Sequence, residues 1–377
     1  MSALRIALPS KGWEDDTLRF LGNCGLRVDR SNPRQYRARM RGLPTGPAEV
    51  VFQRATDIFE EVNAGTVDLG LTGYDIVAEH RSEEDQVVVV HGELGFRRCA
   101  LVVAVPEGWV DVTSVSDLAE VAVELRTTGR EMRVATKYPN LTRQFLYDRG
   151  MTYFELVEVS GAIEAAPALE TADIICDITS SGVTLRENRL KAIAGGVVVE
   201  SQACLIGNRR ELQADAQRLE ATRCLLELME AYLRSRQQIS ITANIPGESA
   251  EAVARRVLAS GGVAGLRGPT IARVFPKDAS DGEWFALTVV VGEDVLLPTV
   301  EALRRAGARE VSATQVRYVF EYRSWTFEAL RRQLHGSQLS AASRQPSAAW
   351  PCTGSPDPSL PTDMREFGPP ESRLADG

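Results

Sequence analysis

Residues 173–185 combine the side chains and the spacing best suited to binding a phosphorylated ligand. A buried strand is predicted to end at Ile178, followed by a Thr-Ser-Ser-Gly loop (179–182) and a helix that begins near Thr184 and continues to Ile193. Such a geometry points free backbone N–H groups at an anion, and the hydroxyls add further donors. The alternative is an ordinary strand-to-helix connection in which Ser and Thr only cap the helix.

Two carboxylates belong to the same strand. Asp173 and Asp177 are four residues apart, so their side chains point to the same face, and both are expected at the carboxyl end of the strand. Carboxylates in that position could accept hydrogen bonds from sugar hydroxyls or help to hold Mg²⁺.

Other kinds of catalytic site find little support in the composition. The six cysteines match no zinc or C-x-x-C spacing, and the three histidines lie outside any metal-ligand spacing, so we expect free thiols and no His-based triad. A net charge of −8 argues against a general nucleic-acid binder. No apolar run approaches the ~18 residues of a membrane span, and the start lacks a secretory signal pattern, which predicts a cytoplasmic protein without a membrane partner.

The elements that would position these residues alternate between strand and helix patterns up to about residue 208, which is typical of α/β layers with parallel sheets. Apolar residues at helical spacing predict one long helix over 209–236, uninterrupted by Gly or Pro. The order βαββαβ over 238–323 predicts a ferredoxin-like domain. Residues 335–377, rich in Ser and Pro without apolar periodicity, are predicted to be a disordered tail.

Several motifs occur in the order found in ATP phosphoribosyltransferase, the first enzyme of histidine biosynthesis, and the chain resembles that family over roughly residues 4–325. Residues 164–185 resemble its phosphoribosyl-pyrophosphate loop, with Glu170 where the family has glycine. The other matching segments are Leu-Pro-Ser-Lys-Gly at 8–12, Arg-Ala-Thr-Asp-Ile at 54–58, Val-Asp-Leu-Gly-Leu-Thr-Gly-Tyr-Asp at 67–75 and Ala-Thr-Lys-Tyr-Pro-Asn-Leu-Thr at 135–142. Trp13-Glu14 departs from the residues that usually follow the first of these.

The resemblance implies an α/β fold with two lobes like a periplasmic binding protein, followed by a ferredoxin-like C-terminal domain. We expect lobe I to comprise 1–98 and 190–208, and lobe II to comprise 99–189, with the chain crossing near 98–100 and 188–195. A connecting helix would span 209–237. Residues 238–325 resemble the histidine-sensing regulatory domain of the long form of the enzyme.

The same resemblance implies condensation of ATP with 5-phosphoribosyl 1-pyrophosphate, giving N1-(5-phosphoribosyl)-ATP and pyrophosphate, with Mg²⁺ as cofactor. Asp177 would hold the ribose hydroxyls, assisted by Asp173 and Glu164, while the sequence assigns no metal ligands. The 5-phosphate would be bound by Ser180, Ser181, Gly182, Val183 and Thr184. Further candidate residues of the cleft are Lys11, Arg54, Thr72, Gly73 and Tyr138.

Without a conspicuous nucleophile, the chain suits a reaction that depends on positioning and charge stabilisation. The family also implies inhibition by histidine and a dimer or hexamer of identical chains. The alternative is a non-catalytic two-lobe protein that binds a small molecule, because the lobe pattern alone would allow it. Helix N-termini and a few cations, together with Mg²⁺, would have to hold two polyanionic substrates on this acidic chain.

Overall fold

The computed structural model describes residues 3–336 except 31, 33, 83, 160, 262–264, 267 and 276–281. Residues 3–335 form one compact unit. The predicted disordered tail lies outside the described residues from 337 onward, while His335 and Gly336 end a helix. None of the helices in the described ranges is long and apolar enough to cross a membrane. The described cysteines are free thiols, as predicted.

The helices and strands of residues 5–201 fall into two consecutive parts of the chain. In chain order they are β1 (Arg5–Pro9), α1 (Glu14–Asn23), β2 (Arg27–Asp29), β3 (Arg37–Arg41), β4 (Ala48–Gln53), α2 (Ala55–Asn63), β5 (Leu69–Gly73), α3 (Tyr74–His80) and β6 (Val87–His91). The next part contains β7 (Cys99–Pro106), α4 (Val115–Thr127), β8 (Met132–Thr136), α5 (Pro139–Asp148), β9 (Phe154–Glu158), β10 (Ile174–Thr179), α6 (Val183–Glu187) and β11 (Leu190–Ser201).

The remaining elements begin where the chain leaves β11. They are β12 (Ala203–Asn208), α7 (Arg209–Ala214), α8 (Ala216–Ser235), β13 (Gln238–Pro246), α9 (Ala250–Ala259), β14 (Thr270–Val274), β15 (Trp284–Gly292), α10 (Leu296–Arg305), β16 (Glu310–Gln315) and α11 (Trp325–Gly336).

Lobe I is built on a sheet with the strand order β2-β3-β4-β1-β5-β12-β6. β4, β1 and β5 run parallel, whereas β12 lies antiparallel to both β5 and β6. The strands nearest the centre are apolar because helices cover both faces: α2 packs with Val67 and Ile206 on one face, and α1 and α8 pack on the other.

Lobe II is built on the sheet β11-β7-β10-β8-β9. β10, β8 and β9 are parallel, and β7 is antiparallel to its two neighbours. The predicted two-lobe α/β architecture is confirmed, and the apolar strands β6 and β7 are buried in antiparallel pairs. The chain passes from lobe I to lobe II after His91 and returns at Gln202.

The return to lobe I therefore lies later than the predicted crossing at 188–195, and residues 190–201 belong to the sheet of lobe II. The prediction of a helix continuing to Ile193 was wrong. Helix α6 ends at Glu187, and β11 follows it and pairs with β7. Leu190 and Ile193 are buried in both cases, so their spacing did not separate the alternatives. Gly195-Gly196 disfavours a helix, and the pairing shifts register beside it.

The predicted single helix over 209–236 is instead two helices, α7 and α8. Asp215 between them has an extended backbone, and its carboxylate accepts the backbone N–H groups of Gln217 and Arg218. Aspartate is a favoured N-cap, so it can end one helix and begin another without Gly or Pro. Helix α8 packs on lobe I through Leu225 and Leu226, together with α11, which the sequence did not predict.

The C-terminal domain has the predicted ferredoxin-like topology. Its sheet has the order β14-β15-β13-β16, with every neighbouring pair antiparallel. Residues on alternate positions of β13 and β15 are buried, and α9 and α10 cover that face through Val253, Val257 and Leu303. The C-terminal domain therefore has a core of its own. Successive side chains of a strand point to opposite faces, so alternate residues of β13 and β15 contribute to that core.

Candidate active site

The carboxyl ends of three parallel strands meet at one edge of lobe I. β1 ends at Pro9, β4 at Gln53 and β5 at Gly73, so Lys11, Arg54 and the Thr72-Gly73 pair lie along the same edge. Ligands of α/β sheets commonly bind outside the carboxyl ends of the strands. The structure thus brings together four predicted cleft residues that are up to 62 positions apart in the sequence.

The two cations at this edge are exposed. Within the described residues, neither Lys11 nor Arg54 forms an ion pair, and the nearby Asp57 carboxylate accepts the Thr56 hydroxyl instead of pairing with Arg54. Lys11 has a positive φ of 38°, an uncommon conformation for a residue other than glycine. Both side chains are therefore accessible to an anion.

Thr72 and Gly73 both belong to the buried strand β5. The Thr72 hydroxyl donates to the carbonyl of Ala55 at 2.7 Å, and no part of Thr72 is exposed. The prediction that the Thr72 side chain contacts a ligand in the cleft is therefore wrong for this structure. A Cβ at Gly73 would overlap the carboxylate of Asp75, so glycine is needed where the strand enters α3.

In lobe II, the carboxyl ends of β8 and β10 form the corresponding edge, since those two strands are parallel. The loop after β10 is closed by a hydrogen bond from the backbone N–H of Gly182 to Thr179 Oγ1 at 3.0 Å. Gly182 has a left-handed φ of 68°, which lets the chain turn into α6. Ser180, Ser181, Val183 and Thr184 are exposed, and their side chains have no polar partner among the described residues.

Asp177 lies on β10, on the face that carries Ile175 and the buried Ile163. Burial raises the pKa of the Asp177 carboxyl, Glu164 raises it further, and the Ile178 backbone N–H and the Lys137 ammonium oppose the rise. Asp177 therefore experiences the charges of Glu164, a predicted site residue, and of Lys137, which was not predicted as one. Lys137 belongs to the 135–142 motif, but its electrostatic influence on Asp177, forty residues away in the sequence, depends on the fold.

Asp173 lies at the other end of β10, and its assignment beside Asp177 was wrong. It precedes the strand, so four residues at about 3.3 Å each separate the two carboxylates by roughly 13 Å. Arg130 and Arg133 bind its carboxylate at 2.9 and 3.1 Å, and the backbone N–H of Arg133 donates to it at 2.8 Å. Burial tends to raise the pKa of Asp173, but hydrogen bonds from Arg133 and Arg130 hold it below its usual value.

The two edges face one another, and Tyr138 joins them. Its hydroxyl donates to Asp75 Oδ2 across the lobes at 2.7 Å. Asp75 Oδ1 accepts the Ser201 hydroxyl at 2.6 Å, and the backbone N–H of Asp75 donates to the same Ser201 oxygen. Burial and the Asp75 charge raise the pKa of Tyr138, so its hydroxyl remains protonated and acts as the donor. Asp75 and Ser201 were not predicted as site residues.

No group of three or more His, Cys, Asp or Glu side chains suited to a metal ion occurs in the described part of the chain. The edge of lobe II offers two carboxylates, those of Asp177 and Glu164. This donor set fits Mg²⁺ that arrives with substrate phosphates, since Mg²⁺ keeps several waters and often binds one or two carboxylates plus phosphate oxygens.

Comparison with known proteins matches residues 54–230 to the family model described as ATP phosphoribosyltransferase and residues 235–318 to the model described as HisG, C-terminal domain. ATP phosphoribosyltransferase 2, chloroplastic, of Arabidopsis thaliana is 40% identical over 324 residues, covering 84% of this chain and 77% of that protein. ATP phosphoribosyltransferase of Brucella anthropi is 45% identical over 212 residues, covering 55% of this chain and 91% of its own length.

Among solved structures, the Thermotoga maritima ATP phosphoribosyl transferase (HisG:HisZ) complex matches with a TM-score of 0.46 and 21% identity. It covers 60% of this chain and 98% of the matched one. The family-model matches span both the two-lobe part and the C-terminal domain, and the identity to relatives extends over most of the chain. This chain therefore belongs to the ATP phosphoribosyltransferase family, in its long form with a C-terminal domain, and catalyses the first step of histidine biosynthesis.

Proposed function

We propose that the facing edges of lobes I and II form the cleft in which ATP and 5-phosphoribosyl 1-pyrophosphate react. The observation that carries this proposal is the exposed loop after β10, whose hydroxyls and backbone N–H groups have room for an anion, beside a half-buried carboxylate pair. Adenine N1 forms a bond to ribose C1 while the C1–O bond to pyrophosphate breaks and its electron pair leaves with the pyrophosphate.

The 5-phosphate binds at residues 180–184. Ser180, Ser181 and Thr184 offer hydroxyl donors that are not used elsewhere in the described chain, and Gly182 and Val183 offer backbone N–H groups. Helix α6 has only five residues, so the contribution of a helix dipole is small and the loop itself supplies most of the donors. This differs from the long helix that the sequence predicted, and it makes the hydroxyls more important.

Asp177 binds the ribose hydroxyls, with Glu164 beside it. As the C1–O bond breaks, positive charge develops on the ribose, and a carboxylate in a poorly solvated position stabilises that charge. Lys137 balances the pair of carboxylates before the substrate binds. Lys11 and Arg54 approach the phosphate groups from the edge of lobe I.

Mg²⁺ bound together with the substrate would supply positive charge that neutralises the leaving pyrophosphate. Asp177 and Glu164 are the side chains of this edge that would contact it. The acidic chain offers only a few cations at the cleft, so the ion supplies charge that the protein does not.

Histidine inhibition through residues 238–325, assembly into a dimer or hexamer and a cytoplasmic location are further parts of the proposal. The C-terminal family match supports the first of these, while the Arabidopsis relatives are named chloroplastic. The test is to incubate the protein with ATP, 5-phosphoribosyl 1-pyrophosphate and Mg²⁺ and to follow the product absorbance with and without histidine. Folded protein that gives no product would favour the non-catalytic binding protein; product insensitive to histidine would contradict only the inhibition.

A further inference from the structure

Helix α3 of lobe I carries two carboxylates that point into lobe II. Asp75 and Glu79 are four residues apart, so they lie on one face of the helix, and they are only 5% and 4% exposed. Charged side chains are almost never this buried unless they are paired. Each of them has a partner in the segment 137–141, which follows β8 and which we call the 137–141 turn.

Glu79 binds the start of α5. Its Oε1 accepts the backbone N–H of Asn140 at 2.9 Å, and its Oε2 accepts that of Leu141 at 3.0 Å. The Asn140 side-chain amide donates back to the Glu79 carbonyl at 3.1 Å. Both carboxylate oxygens of Glu79 and its backbone carbonyl thus take part in a single contact between the lobes.

This contact replaces a cap that α5 lacks. The N-cap residue of α5 is Tyr138, which makes no side-chain capping bond, and Pro139 occupies the first helical position. The N–H groups of Asn140 and Leu141 are the second and third of the helix, which a Ser or Asp at the N-cap would normally bind. In this structure the cap is supplied by the other lobe.

Asp75 reinforces the same junction one turn earlier on α3. It accepts the hydroxyl of Tyr138, which begins the helix that Glu79 caps, and the hydroxyl of Ser201, which lies where the chain returns to lobe I. Helix α3 therefore ties the 137–141 turn and the return crossing to lobe I at neighbouring points.

We infer that Glu79 is a positioning residue that holds the cleft closed in the free enzyme. By capping α5 it fixes the 137–141 turn, and with it Lys137 and Tyr138, opposite the edge of lobe I. Opening the lobes would expose two helix N–H groups and a buried carboxylate to water. This inference rests on the proposed function, in that the cleft between the lobes is where the substrates bind.

The kinetic consequence follows from closure. If Glu79 no longer favours the closed cleft, a smaller fraction of the free enzyme is closed. A substrate that contacts both lobes then binds with a lower apparent affinity, in proportion to that smaller fraction. At saturation the substrates still close the cleft, and the chemical groups are unchanged. Loss of this cap therefore raises KM and leaves kcat nearly constant.

The test compares Glu79→Gln with Glu60→Gln, a change at an exposed residue of α2 in the same lobe. Glu79→Gln keeps one acceptor oxygen and turns an N–H group toward the second helix donor. We expect amide hydrogen exchange of Asn140 and Leu141 to accelerate by about fivefold or more, as removal of an N-cap would produce. KM for ATP or 5-phosphoribosyl 1-pyrophosphate should rise by a similar factor, with kcat within about twofold. Glu60→Gln should change neither.

Unaltered exchange at Asn140 and Leu141 in Glu79→Gln would overturn the inference, as would a fall in kcat without a rise in KM. Should the variant not fold, exchange in the unmodified protein decides the matter. Without substrates, these two amides should exchange as slowly as those in the middle of α5, and rapid exchange would refute the cap. Exchange needs no turnover, so a protein that makes no product would contradict the proposed function while still testing Glu79.

Discussion

Asp173 directly precedes β10 and Asp177 lies within it, and we propose different tasks for these two carboxylates. Arg130 and Arg133 bind the Asp173 carboxylate before the strand begins, whereas Asp177 is the residue that we propose binds the ribose hydroxyls. Replacing each by asparagine keeps the size and removes the charge. We expect Asp173→Asn to lower stability and leave the chemistry intact, and Asp177→Asn to do the reverse.

The magnitude for Asp173 follows from its partners. Its carboxylate is 8% exposed and accepts a backbone N–H, and hydrogen bonds to charged groups contribute about 1.5–3 kcal/mol. Arg130 and Arg133 are 49% and 33% exposed, however, so solvent screens the ionic part to about 1 kcal/mol or less. Asparagine retains one acceptor oxygen. The expected loss in the free energy of unfolding is therefore about 1–2 kcal/mol.

For Asp177 the direction is opposite. Burial raises its pKa, which means that the ionised form is disfavoured by its surroundings, and a neutral asparagine removes that cost. Stability should stay equal or rise slightly. Loss of the charge that stabilises the ribose in the transition state should lower kcat by about 10²–10³-fold, the size typical of removing one preorganised electrostatic group.

The assay measures urea unfolding by circular dichroism and product formation by absorbance for both variants beside the unmodified protein. Full kcat in Asp177→Asn, or loss of activity without any loss of stability in Asp173→Asn, would refute these two assignments. Either result would mean that Asp173 and Asp177 do not have the structural and catalytic roles proposed for them.

Three further predictions concern stability and are measured by urea unfolding. Asp68→Asn should lower the free energy of unfolding by about 2 kcal/mol, because the change removes a fully buried charge that Arg5 and Arg218 share, while both guanidinium groups keep Glu211 as a partner; an unchanged midpoint would contradict this. Gly70→Ala should cost about 1–3 kcal/mol, since its Cβ would overlap Ile58, whereas Gly22→Ala in open space on α1 should stabilise by up to about 1 kcal/mol; equal effects would refute the packing argument. Burial lowers the pKa of His91, whose ring accepts a backbone N–H, so the unfolded chain binds more protons and stability should fall as the pH drops below about 6.5. His91→Gln should flatten that slope, and a slope unaffected by the change would disprove the assignment.

Local patterns sufficed where a segment's neighbours in sequence are also its neighbours in space. The ferredoxin-like domain was predicted correctly because its alternating strands and capped helices are each specified within a few residues. The helix predicted through Ile193 failed because Leu190 and Ile193 suit a buried helix or a buried strand equally, and pairing with β7 decided between them. Asp215 ended the long helix without Gly or Pro, a possibility that the apolar spacing does not exclude.

The sequence by itself determined the family, the loop at 179–184 and most of the residues at the two edges, because short motifs carry those residues in order. Only the tertiary structure decided which of them face one another. Asp173 and Asp177 have the spacing of residues on one face of a strand, but they do not share an end of β10. Asp173 precedes the start of the strand, and Asp177 lies in its second half. Asp75 and Glu79 were found through their hydrogen bonds between the lobes, and Lys137 through its charge near Asp177 within lobe II. These relations depend on the tertiary fold and cannot be inferred from local spacing in the sequence.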